Sequence, residues 1–108
     1  MSWMKQSKTE GQLREDNIRK LESLRLRLKK LKDALFATQS GCYHILRQIA
    51  DDDAVRGEKD IHSLLSKALK GENNQIVILD NPYRAKAILD EVDKLIQDKV
   101  EDLRDDAG

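Results

Sequence analysis

Residues 21–35 read LESLRLRLKKLKDAL, and the leucines at 21, 24, 28, 31 and 35 step alternately by three and four. That alternation is a heptad seam, which lays these side chains along one face of a helix. Upstream, Leu13 and Ile18 join the apolar set; downstream, the seam misses a turn at Thr38 and resumes at Cys42, Ile45 and Ile49. The spacing predicts one long helix over about 13–50. At 1.5 Å per residue it would be roughly 55 Å long, more than the width of a small domain, so it must project or pair lengthwise. Gly41 inside it costs about 1 kcal/mol relative to Ala, which makes Gln39 to Gly41 the place to expect a bend.

Two shorter helices follow. Ile61, Leu64, Leu65, Ala68 and Leu69 form the stripe of a second helix over about 58–70, with Asp53 or Asp60 as candidate caps and Lys70-Gly71 as its stop. Asn81-Pro82 supplies an N-cap with Pro at the first helical position. Behind it, Ala85, Ile88, Leu89, Val92, Leu95, Ile96, Val100 and Leu103 give a wide stripe for a third helix over about 82–104. Between the second and third helices, Ile76-Val77-Ile78-Leu79 is a β-prone run with no strand partner elsewhere in the chain. The expected fold class is all-α: a helical hairpin or three-helix bundle with coiled-coil character. Residues 13–104 are expected to form one domain, with flexible tails over 1–12 and 105–108.

Charge is segregated along the chain. Twenty basic and twenty acidic side chains balance, yet residues 1–32 hold ten basic against four acidic. The positions flanking the seam, Lys20, Arg25, Arg27 and Lys32, are all cationic, so two copies of the seam would meet like against like in either orientation. The third helix carries Asp90, Glu91, Asp93, Asp98, Glu101 and Asp102. Folded back antiparallel, it is the natural partner of the first helix, because complementary charge sets orientation and partner choice.

Composition bounds the function. Leu, Ile, Val and Phe make up about a quarter of the 108 residues and the net charge is zero, which argues against wholesale disorder. No apolar run is long enough for a signal-peptide core or a membrane span, and the lone Cys42 can form neither a disulfide nor a zinc cluster of several thiolates within the chain. A cytoplasmic location is therefore the expectation. Cys42 and His44 lie two apart, about 200° around a helix, which suits neither a shared metal nor a nucleophilic dyad. The run Asp51-Asp52-Asp53-Ala54-Val55-Arg56-Gly57 fails as a calcium loop, with Arg56 where Gly is needed and His62 where the closing Glu belongs. Gly-rich phosphate loops, nucleophile elbows and paired carboxylates in an apolar setting are absent from the sequence. Neither catalysis, a cofactor, a metal nor a small-molecule substrate is expected.

The function expected is a non-enzymatic protein–protein interaction module: a small adaptor, assembly factor or dedicated chaperone that binds another protein, itself, or both, with a homo-oligomer expected. Leu21, Leu24, Leu28, Leu31 and Leu35 are its candidate partner-binding seam. Ile76, Val77, Ile78 and Leu79 form a second candidate, either a staple onto the core or an exposed edge that pairs with another chain. The alternative is a nucleic-acid accessory protein using Arg25, Arg27, Lys29, Lys30 and Lys32, although no aromatic residue is interleaved for base stacking. A membrane surface is a poorer fit, since the basic helix carries no Trp or Phe on its apolar face.

Overall fold

The computed structural model describes residues 10–105. Helix α1, Glu10–Ala34, is built from Leu, Arg, Lys and Glu, all strong helix formers. Its seam leucines 21, 24, 28, 31 and 35 are all buried. Helix α2 is Gln39–Ala50, α3 Asp53–Arg56, α4 Lys59–Leu69, α5 Val77–Asp80 and α6 Pro82–Asp105, with a single 3₁₀ turn at Glu72–Asn74 between α4 and α5. Among the described residues there is no strand, and the all-α class holds.

The single helix expected over 13–50 is two helices. It starts earlier, at Glu10, so the tail expected over 1–12 is helical from residue 10 on; the rest of that tail, and 106–108, lie outside the described residues, while Asp105 ends α6. The break falls at Leu35 to Thr38, where the Ala37 and Thr38 amides both return to the Ala34 carbonyl, at 3.1 and 3.0 Å. The Thr38 hydroxyl donates to the same oxygen at 3.4 Å. Gly41, where the bend was expected, is helical, with no side chain nearer than Thr38 at 3.8 Å from where its Cβ would stand. How sharp the turn is appears in the Cys42 thiol, which donates to the Leu31 carbonyl at 3.6 Å. In a straight helix those residues would lie about 16 Å apart along the axis. Breaking here folds α2 onto α4 and α5 and buries Cys42, Leu46, Ile49 and Ala50. The re-phased helix turns Ile45 outward, 47% exposed, against the seam expected for it.

Asp52 caps α3, its Oδ1 accepting from the Ala54 amide at 3.0 Å. Asp53 and Asp60, the caps expected, lie inside the first turns of α3 and α4 instead. At the other end of α4, Gly71 N–H donates to the Gln75 carbonyl at 2.8 Å and closes a tight loop. A Cβ on Gly71 would stand 2.8 Å from Val77 Cγ2, so the close approach of loop to helix needs glycine. The run Ile76 to Leu79 is neither strand nor exposed edge: Val77 and Ile78 are buried within α5, and Ile76 and Leu79 are half-buried. Local β-propensity is overridden here because a helical turn sends both central side chains into the core. Asn81 Oδ1 then accepts from the Arg84 amide at 3.2 Å, capping α6 as its position before Pro82 implies. Along α6, Ala85, Leu89, Val92, Ile96 and Val100 complete a core shared with α1, α4 and α5.

Candidate interaction surface

The leucine seam is covered by the chain itself. Leu28 and Leu35 have no exposed surface and Leu21, Leu24 and Leu31 almost none, so none of the five is open to a second chain in this fold. Charge fixes how α6 lies over the seam. Arg25 pairs with Asp93 at 2.7 Å, Lys32 with Asp90 at 2.9 Å, and Arg104 with Glu22. As the α1 number rises the α6 number falls, which makes the two helices antiparallel. The hydrogen bond that Arg25 donates to Asp93 raises the Arg25 pKa above its ordinary value.

Three more ion pairs tie the remaining layers. Arg27 reaches Asp52 at 3.0 Å, joining α1 to the cap of α3. The Ala54 amide, then Arg27, hold the Asp52 carboxyl below its ordinary pKa. Lys99 on α6 sits between Glu58 and Asp60, at 3.2 and 3.1 Å. Burial pulls the Lys99 ammonium down and pushes the Asp60 carboxyl up, but their mutual hydrogen bond and charge outweigh this and leave Lys99 raised and Asp60 lowered.

These pairs consume much of the basic set proposed for nucleic acid. Arg25, Arg27 and Lys32 each hold a carboxylate, while Lys29 and Lys30 stand exposed without an ion-pair partner among the described residues. The second partner-binding candidate, Ile76 to Leu79, fares as the seam does, since Val77 and Ile78 face the core.

Among the described residues, the fold leaves outside a short set of large apolar side chains: Leu13, Leu26, Phe36, Ile45 and Tyr83. Two of them meet. The rings of Phe36, in the α1–α2 turn, and Tyr83, in the first turn of α6, have centroids 4.9 Å apart at 48°, within the range of favourable tilted pairs. Tyr83 is nevertheless 76% exposed and Phe36 49%. Periodicity does not single out either residue. The signal was the antiparallel register, because a fold-back that sets residue 32 against 90 also brings 36 beside the start of α6.

A cleft of about 440 Å³ lies between α1, α3 and α6 and is lined by Lys20, Asp53, Glu58, Lys99 and Asp102 among others. Its charges are mixed, and Lys99 is already held by Glu58 and Asp60. Among the described residues no group of three or more His, Cys, Asp or Glu is placed to hold a metal ion. Cys42 is buried, His44 is exposed and touches the Tyr43 ring edge-on at 5.4 Å, and His62 is half-buried. No described helix is long and apolar enough to cross a membrane. No family model matches the sequence, and neither a curated protein nor a solved structure matches it.

Proposed function

We propose that the chain is a non-enzymatic helical protein-interaction module, of the adaptor, assembly-factor or dedicated-chaperone kind. In it the leucine seam holds the fold and the outward side chains meet the partner. The heptad spacing gives the α1–α6 pair a coiled-coil character, closed within one chain instead of between two. The observation that carries this reading is the Phe36–Tyr83 pair, two large rings tilted against each other yet left largely in solvent. Aromatic residues are enriched at interfaces because they bury a large area at low entropic cost. The partner is another protein or a second copy of the chain. The nucleic-acid alternative is left with Lys29 and Lys30 as free cations of its five, too few for strong phosphate tracking.

The test is site-specific photocrosslinking in cells, with benzoylphenylalanine placed at position 36, 83 or 29 in turn. Discrete protein adducts from 36 and 83, and none from 29, are expected. Absence of adducts from 36 and 83, or salt-sensitive binding of the purified chain to a mixed-sequence duplex that Lys29→Gln and Lys30→Gln abolish, would overturn the reading.

A further inference from the structure

A cavity of about 340 Å³ opens between α2 and the α4–α5 connection, lined by Tyr43, Arg47, Leu69, Lys70, Asn74 and Ile76. Its make-up differs from that of the other clefts. Tyr43, Leu69 and Ile76 are half-buried hydrophobics packed against the core, so they form an apolar floor. Arg47 and Lys70 stand at its edge, both exposed, and neither has an ion-pair or hydrogen-bond partner for its side chain among the described residues. In the α1–α6 layer, by contrast, Arg25, Lys32 and Arg104 each hold a carboxylate of the chain. No acidic residue lines this cavity.

Asn74 completes the rim in an unusual conformation. Asn73 and Asn74 are consecutive left-handed residues, with φ of 59° and 63°. Asparagine tolerates that region better than most residues, and the hydrogen bond from Gly71 N–H to the Gln75 carbonyl holds the loop in place. The carboxamide adds a group able both to donate and to accept beside two fixed positive charges. Two full charges also outweigh the fractional negative ends of α2 and α4 that lie on this side.

We propose that this cavity docks an acidic peptide segment, with a carboxylate meeting Arg47 and Lys70 and a neighbouring aliphatic side chain lying on Leu69, Ile76 and the Tyr43 ring. Charge complementarity selects this occupant. The cations are unsatisfied by the chain, the floor is apolar, and the volume suits one side chain and a carboxylate but not a folded surface. An anion without an apolar arm would leave the floor uncovered; an apolar segment without an acid would leave the cations unpaired. The proposal rests on the interaction-module reading, to which it adds a partner chemistry.

The test uses the full chain labelled with ¹⁵N and a blocked hexapeptide of alternating glutamate and leucine. A matched peptide with glutamine for glutamate, and inorganic phosphate, serve as controls. Amide shifts at Tyr43, Arg47, Leu69, Lys70, Asn74 and Ile76 are expected with the acidic peptide and not with either control. Arg47→Gln and Lys70→Gln are each expected to weaken binding about three- to tenfold, with the circular dichroism spectrum unchanged, as for loss of one partly screened charge pair. Equal shifts with the glutamine peptide or with phosphate, shifts centred on Lys29 and Lys30, or no shifts at millimolar acidic peptide would each overturn the site. Adducts at 36 and 83 without a peptide response would remove this site alone. A peptide response mapped to the cavity without those adducts would support it while removing the Phe36–Tyr83 surface.

Discussion

Arg25 grips Asp93 at two points, Nε donating to Oδ1 at 2.7 Å and Nη2 to Oδ2 at 3.3 Å. Sixty-eight residues separate them in sequence, and with Lys32–Asp90 and Arg104–Glu22 their contact lies in the antiparallel register of α6 on α1. The pair is only partly shielded, so a double-mutant cycle of Arg25→Ala and Asp93→Ala should give a coupling of about 0.5–1 kcal/mol in urea unfolding. Raising the salt to 1 M should shrink that coupling. A coupling of zero at low salt would mean that the pair has no part in orienting the helices.

The seam should separate sharply from the outward leucine of the same helix. Leu28 is fully buried, so Leu28→Ala should cost about 2–5 kcal/mol, and Leu28→Asp should abolish folding by placing a charge in the core. Leu26, two residues away but 54% exposed, should tolerate Ala within about 0.5 kcal/mol. Chemical denaturation followed by circular dichroism measures all three.

Two glycines should respond in opposite directions. Gly41 lies in α2, where a Cβ would make only ordinary van der Waals contact with Thr38 at 3.8 Å, so Gly41→Ala should stabilise the protein by about 0.5–1 kcal/mol. Gly71→Ala would push a methyl against Val77 Cγ2 at 2.8 Å and should cost about 1–3 kcal/mol. Melting temperatures of the two variants, rising for the first and falling for the second, check both.

Acid should weaken the fold through named carboxylates. The Ala54 amide and Arg27 hold Asp52 below its ordinary value, and Lys99 does the same for Asp60 against the effect of burial. A depressed folded pKa means that the stabilisation is fully present above the ordinary value of 3.8 and is lost as the pH falls through the lower folded value. Between pH 5 and pH 3, Asp52→Asn and Asp60→Asn should therefore lose less stability than the parent chain. An unchanged acid limb in both variants would contradict the assignment.

Much of this arrangement is written plainly in the chain. The seam from Leu21 to Leu35 follows from spacing, and the acid on α6 that meets Arg25 and Lys32 follows from counting charges along the sequence. Asn81-Pro82 marks the start of α6 to the residue. The break at Leu35 to Thr38 was hidden because Phe36, Ala37 and Thr38 are not strong helix breakers. The nearest such residue, Gly41, proved an ordinary helical position. What breaks the helix is tertiary: α2 buries Cys42, Leu46 and Ile49 only by turning back. The same applies to Val77 and Ile78, whose local preference points to strand and whose burial requires a helical turn. The cavity at Arg47 and Lys70 was invisible for a related reason, since its residues come from α2 and from the α4–α5 connection, which only the fold brings together.

One chain closes its own leucine seam with α6. Isotope-filtered nuclear Overhauser spectroscopy on an equimolar mixture of ¹³C-labelled and unlabelled chains, refolded together, tests it directly. Contacts between the methyls of the seam leucines and those of Leu89, Val92 and Ile96 should arise within single chains and vanish from the interchain spectrum. Strong interchain contacts among those same methyls would contradict it, and would make the seam itself the surface on which two copies meet.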